Sequence, residues 1–172
     1  MDGEMVHEGS LPVWGDQGRV RNWFHTKTGA RFLNAQTSWF RIYAPPGWGL
    51  LATIGRRSGA TRRSCVRVTT VGQRGFLVAI GGKTTDWLQN ALAHPRVSLR
   101  MGYRTRTGHA RRPQTEDEQA AAMRAYRETL TWFDFISSLV NQRGFPSPER
   151  IRAMHARYSK QGTMLVIDFD TP

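Results

Sequence analysis

The amino-acid sequence predicts an α+β protein: a small barrel of mainly antiparallel strands with flanking helices. Three observations predict it. Between Trp48 and Arg112, short apolar or alternating runs are separated by glycine-bearing turns, which is strand patterning. Stretches on either side of Pro146 carry helical spacing and capping residues. With 172 residues, 39% of them hydrophobic, the chain suits one domain with a packed core. That domain is placed at residues 19–172 and begins with a helical segment, while residues 1–18, glycine-rich and polar, are expected to be disordered.

Taken in order, Val20 to Tyr43 mixes aromatics (Trp23, Phe24, Phe32, Trp39, Phe40, Tyr43) with Arg19, Arg21, Lys27, Arg31 and Arg41. Pieces of it suit amphipathic helix, Gly29 weakens a single long one, and Ala44-Pro45-Pro46-Gly47 ends it. Leu50–Ile54 is the first strand. Arg63–Val71 alternates, with Val66, Val68 and Thr70 opposite Cys65, Arg67 and Thr69. Gly72-Gln73-Arg74-Gly75 makes a hairpin turn, and Phe76–Ile80 returns as a buried strand. Thr84 or Thr85 caps a short helix through Leu92, which Pro95 stops. Val97, Leu99 and Met101 mark another strand, and Tyr103–Arg112 continues the sheet with Arg104, Arg106 and Arg111 exposed. Thr115-Glu116-Asp117-Glu118 is a capping box that opens a helix toward Val140, with Met123, Tyr126, Leu130 and Phe133 at helical spacing. Ser147 or Pro148 starts a second helix to Tyr158, and Thr163–Phe169 closes the chain as a strand.

Charge narrows the partners. The chain has 25 Lys+Arg against 13 Asp+Glu, a net +12 that attracts polyanions of any kind. Lysine occurs only at Lys27, Lys83 and Lys160, so the charge is nearly all guanidinium, suited to planar recognition of anions. Cys65 is the sole cysteine, which excludes a disulfide framework and a cysteine zinc cluster. His94 sits at a helix end, and His109 and His155 have no partner at ligand spacing, so no metal is expected. No basic-then-apolar leader and no membrane-spanning run is seen, so a cytoplasmic location is expected. Val20–Tyr43 is a candidate for peripheral membrane contact, although a buried helix explains the same pattern.

The most telling stretch follows Ile54. Gly55-Arg56-Arg57-Ser58-Gly59-Ala60-Thr61-Arg62-Arg63 sets four arginines and two hydroxyls in a glycine-bracketed loop. Guanidinium forks match phosphate or carboxylate oxygens with paired hydrogen bonds, and an anion among them relieves their repulsion. The loop reads as an anion cradle, against the plainer reading of a solvated basic turn. Lys83 is either a second anion contact or a turn residue. Cys65 reads as a small buried hydrophobe, with no histidine near in sequence to activate it. Gly47-Trp48-Gly49-Leu50-Leu51-Ala52 precedes a strand where a dinucleotide fingerprint follows one, and is rejected.

The succession of strand, Gly-Arg-Arg-Ser-Gly, hairpin, Gly-Gly-Lys, Asp-Trp-x-x-Asn and Ala-x-Pro resembles the deazaflavin-dependent nitroreductase family over roughly Trp48 to Met101. Those proteins are split β-barrels that bind coenzyme F420, distantly related to flavin-binding pyridoxamine-phosphate oxidases. The resemblance assigns Arg56, Arg57 and Ser58 to the cofactor's phosphate or acidic tail. Arg62, Arg63, Ser64, Cys65 and Val66 would line the deazaflavin, with Ala79, Ile80 and Gly81 passing close to the ring. Asp86, Trp87 and Asn90 would complete the pocket; read alone, Trp87 and Asn90 are a core tryptophan and a surface amide. Cys65 stands where relatives often carry proline, and Arg67 near where they carry an aromatic.

The implied activity is hydride transfer to an electron-poor acceptor such as a quinone, a nitroaromatic or an activated alkene. No catalytic residue is assigned; Ser64 and Tyr158 are the candidate proton donors. The resemblance also implies a homodimer. Two alternatives stay open. One is an FMN-binding split barrel, since FMN also needs an arginine-rich phosphate site. The other is a basic nucleic-acid-binding module, which is disfavoured because many aromatics fall in helix-like stretches where core packing explains them.

Overall fold

A computed structural model describes residues 37–132, 134–135 and 147–171. The amino-terminal stretch expected to be disordered lies outside the described residues, as do most of the aromatic and basic segment and the chain from 136 to 146. Among the described residues six strands form: β1 (Trp48–Ile54), β2 (Thr61–Val71), β3 (Arg74–Ala79), β4 (Arg96–Met101), β5 (Arg104–Arg111) and β6 (Thr163–Phe169). Between and after them run helices α1 (Asp86–Ala93), α2 (Glu116–Glu128) and α3 (Pro148–Gln161). The strands close into a barrel in the order β1-β2-β3-β6-β5-β4, each pair antiparallel. Closure gives every strand a neighbour on each side.

The pleat sends alternate residues to opposite faces, and here both faces have cover over much of the wall. Inside, Leu51, Val66, Val68, Leu77, Ala79, Leu99 and Leu165 fill the barrel, and α1 plugs it with Leu88 and Ala91. Outside β3 and β6, Phe76, Val78, Met164 and Val166 pack under Ala122 and Tyr126 of α2 and Tyr158 of α3. A third cluster joins Phe40 and Ala44 to Leu50 of β1, with Trp48 and Cys65 against it. Double cover explains the unbroken buried runs Val66–Thr69 and Met164–Ile167, which pure alternation does not produce. Gly72 sits at φ 58° in the two-residue turn between paired Val71 and Arg74, where a side chain would be strained.

Two expectations need correction. The helix opened by the capping box ends at Glu128, well short of Val140. Its start is as expected: Thr115 Oγ1 accepts from the Glu118 amide at 3.0 Å, and Glu118 Oε2 accepts from the Gln114 amide at 2.8 Å. Its end is set by tertiary structure. Thr129 turns extended, and the Arg67 guanidinium from β2 takes the Tyr126 carbonyl at 3.0 Å and that of Thr129. A cation at the carbonyl end of a helix is favourable, so Arg67 rewards stopping there. Leu130 therefore lies beyond the helix, and Phe133 is outside the described residues.

Arg106 and Arg111, expected to be exposed, are also corrected. The Arg106 guanidinium lies 4.1 Å from the Phe169 ring centroid. Arg111 makes a fork to Glu118, with Nη1 to Oε2 and Nη2 to Oε1 both at 2.8 Å, and also reaches Asp168. Neighbouring strands supplied the partners that the strand's own sequence does not reveal.

Candidate functional site

The loop after β1 is a tight turn. Gly55 donates to the Ala60 carbonyl at 2.9 Å and accepts from Gly59 at 2.8 Å, with Gly59 at φ 65°. Arg56 points back toward α1. Its amide and Nη1 donate to Asn90 Oδ1 at 3.1 and 3.0 Å, and Nη1 reaches Asp86 Oδ1 at 2.9 Å. The two sequence motifs are thus one physical unit: the arginine of the first is clipped by the acid and amide of the second. Arg57 and Ser58 remain exposed at the tip.

Strand alternation divides the remaining predicted residues. Ser64 pairs with Leu51 and Val66 with Gly49, so both point to the barrel interior, with Arg62 on the same side at the rim. Arg63, opposite Ala52, and Cys65, opposite Leu50, point outward. Val66 and Ala79 belong to the barrel core, and Ile80 packs with the cluster under α2 and α3. Those three can offer a ligand only their backbone. Trp87 packs on the barrel core, while Lys83 is exposed in the single 3-10 turn Gly82–Thr84 beside exposed Gly81. Burial pushes the Cys65 thiol up to about 11, which makes it an inert hydrophobe at neutral pH. Tyr158 is enclosed on the buried face of α3, and burial raises its phenol well above the ordinary range.

Arg63 opens onto a groove of about 350 Å³ on the outer wall. Leu50 and Ala52 are its apolar members, Ser98 and Thr105 supply hydroxyls, and Arg41 and Arg100 join Arg63. The β1–β4 pairing that closes the barrel brings Ser98 beside Ala52 and Arg100 beside Leu50. Arg100 Nη2 donates to the Ile42 carbonyl at 3.0 Å, and its Nε is buried without a hydrogen-bond partner. Among the described residues, none of these three guanidiniums has a carboxylate partner. Arg41 and Arg100 were missed by motif reading. The outward alternation of Ser98 and Arg100 between Val97, Leu99 and Met101 was visible; the closing strand pair that aims them at β1 was not.

Two residues further along the same outward row, Arg67 is buried. Its Nε donates to Asp134 Oδ1 at 3.1 Å, and its guanidinium lies 4.5 Å from the Tyr126 ring centroid. Asp134 Oδ2 also accepts from the amide and hydroxyl of Thr131 at 2.8 and 2.9 Å. Burial pushes the Asp134 carboxyl up, but Arg67 and Thr131 outweigh it and hold the group below its usual range. His155 Nε2 stands 3.9 Å from Asp134 Oδ1, and burial, with Arg67 adding to it, pushes the imidazole down to about 4. Sequence reading placed Arg67 on the correct face without indicating its burial or its partner, 67 positions away.

Comparison with known proteins adds the chemistry. The profile of the family described as F420H(2)-dependent quinone reductase matches residues 30–137, more than half of the chain. No curated protein matches. Among solved structures, an F420-H2 dependent reductase (FDR-A) shares 18% identity, with 71% of this chain and 94% of that one covered and a TM-score of 0.43. The heme storage protein HutZ from Vibrio cholerae shares 14% identity over 81% of this chain and 92% of its own, at a TM-score of 0.45. A heme binding protein from Mycobacterium smegmatis shares 17% over 79% of this chain at 0.48, and this chain spans 50% of its length. Likenesses of this strength say nothing about what the present chain binds.

Proposed function

The chain belongs to the F420H2-dependent quinone reductase family, and from that premise we propose that the outer groove of Arg41, Arg63 and Arg100 holds the cofactor. The enzyme is an F420H2-dependent oxidoreductase. One observation carries the siting: three guanidiniums without carboxylate partners among the described residues surround a part-apolar groove, and one of them keeps a buried Nε–H without a hydrogen-bond partner there. Guanidinium groups gathered on one groove repel one another, and an anion among them relieves that repulsion. The cofactor presents a phosphate, a carboxylate-bearing tail and a flat apolar ring system, which matches both parts of the lining. The volume is within the range of small-molecule sites.

When bound, the reduced cofactor supplies a hydride to the acceptor, a quinone by the family's description. The chain's residues bind, orient and exclude water. Arg63 and Arg100 anchor negative charge, with Arg41 closing the cluster. Leu50 and Ala52 give the ring an apolar floor. Arg56 acts on the site by holding the loop to α1. Ser64 faces the barrel and Tyr158 sits on the buried face of α3, so neither hydroxyl opens into the groove. Ser98 and Thr105 line it, and either can pass a proton from solvent to the reduced acceptor.

Titration of the purified protein with F420, followed by cofactor fluorescence, tests this siting. Arg63→Gln is expected to weaken binding about tenfold, the worth of one charge-assisted contact. Unchanged affinity would move the cofactor elsewhere. The same titration with FMN separates the flavin alternative: FMN binding as tight as F420 would contradict the deazaflavin preference.

A further inference from the structure

A second, smaller cavity of about 200 Å³ lies at the start of β1, the end of that strand away from the Arg56–Asn90 clip. Three chain segments serve both it and the arginine groove. Arg41, Leu50 and Arg100 line the groove, and Tyr43, Trp48 and Gly102, each two positions away, line the cavity. Two positions along a strand are about 7 Å and return to the same face, so Trp48 continues the outward row of Leu50. The linings differ in kind. The groove carries guanidiniums and hydroxyls, whereas no charged side chain among the described residues lines the cavity. Its walls are the flat rings of Tyr43, Pro45, Pro46 and Trp48, completed by Val68 and Met101, with exposed Thr70 at the rim. These walls are held from several sides. The Trp48 amide donates to the Pro45 carbonyl and the Val68 amide to the Gly47 carbonyl, both at 2.9 Å. Ala44 and Gly102 exchange backbone bonds at 3.2 and 3.0 Å, and the Phe40 ring meets Trp48 edge-on at 6.4 Å between centroids. Gly47 has φ 75°, and a Cβ there would stand 2.4 Å from Thr131 Cγ2, so the chain beyond α2 packs directly on this loop.

We propose that this cavity is the acceptor subsite and receives the uncharged ring of a quinone. The proposal rests on the reductase reading and on the siting of the cofactor in the groove. Hydride transfer brings donor and acceptor rings into contact, so the acceptor belongs against the apolar floor of the groove. The row from Ala52 and Leu50 to Trp48 supplies that continuity. A flat, apolar, uncharged ring suits walls of proline and aromatic rings and asks for no counter-charge. An anionic tail or a nucleotide would find no cation here. The volume also selects. It falls below the roughly 300 Å³ at which sites for larger ligands begin, so it suits a head of one or two rings with any side chain left outside.

Filling the cavity tests it. Thr70→Trp places an indole at the exposed rim, in a strand that tolerates aromatics. Calorimetric titration of the full chain, saturated with oxidised F420, with 2-methyl-1,4-naphthoquinone should show about tenfold weaker binding than the unaltered chain. The KM for that quinone should rise by a similar factor, and less for single-ring 1,4-benzoquinone, which needs less of the space. F420 affinity and melting temperature should stay put. Val71→Trp, which sets the same indole on the other face of the strand, should leave quinone binding unchanged. Should Thr70→Trp melt early, Pro46→Ser removes a wall at an exposed position and should also weaken quinone binding. Naphthoquinone affinity equal to that of the unaltered chain overturns the proposal. So does an equal loss of F420 affinity, which would give the cavity to the cofactor. F420 binding is measured first and separately: its absence in the unaltered chain sinks both readings, whereas intact F420 binding with indifferent quinone binding sinks the acceptor subsite alone.

Discussion

Arginine serves two opposed purposes on the two sides of this barrel. On the β5–β6 side, Arg111 lies between Glu118 and Asp168, Arg74 reaches the same two acids, and Arg96 pairs with Asp170. Arg111 in turn holds the Glu118 carboxyl down to about 2. On the β1–β2–β4 side, Arg41, Arg63 and Arg100 face a shared groove with no acid opposite them among the described residues. The residue type is the same and the backbone setting similar. What differs is whether the chain supplies the counter-charge. Where it does, guanidinium groups tie helix to sheet. Where it does not, the missing anion points to a ligand.

The comparison can be broken from the structural side first. Asp134→Ala leaves Arg67 buried without its carboxylate, and removing one partner of a buried pair costs about 3–5 kcal/mol. Chemical denaturation should read this as a large loss. A loss within the scatter of surface variants would show that Arg67 is solvated instead.

Acid should act next, through His155. Its pKa lies at about 4 in the folded chain against an ordinary 6.5. Between those values the unfolded chain binds a proton that the folded chain refuses, so stability falls as pH drops through that window and is intact above it. Thermal melts from neutral pH to about pH 4 should show the fall, and His155→Gln should flatten it. Asp134 and Glu118, both held low, extend the loss at lower pH.

A smaller effect belongs to the compensated outer cluster. Glu118→Gln weakens the Arg111 fork and its acceptance from the Gln114 amide, so α2 is expected to lose about 1 kcal/mol. F420 affinity should not move. A coupled loss of cofactor binding would erase the distinction between the two sides.

Much of this was legible beforehand, and what was not has a physical reason. Strand identity came from alternation, and the hairpin from glycine at the turn. The α2 start came from Thr115 and Glu118. These are local signals. The end of α2 was not local: Thr129 leaves the helix because Arg67, on another element, takes the final carbonyls. The motif residues were found as a contiguous run, but a strand presents them alternately, so Arg63 and Cys65 face one way and Ser64 and Val66 the other. Arg56 carries the sequence's clearest anion-binding motif, yet it is engaged by Asp86 and Asn90. Arg100 carries no motif at all and enters the groove through a β1–β4 pairing that only barrel closure creates.

The central claim is that the uncompensated side exists to hold the anionic cofactor. Its most direct test is the F420 dissociation constant of Arg63→Gln/Arg100→Gln measured beside the melting temperature of the same protein. We predict about a hundredfold weaker binding, two lost charge-assisted contacts, with stability lowered by no more than about 2 kcal/mol, the worth of the Arg100–Ile42 hydrogen bond. Cofactor affinity equal to that of the unaltered chain would contradict the account, as would a variant that binds poorly only because it has unfolded.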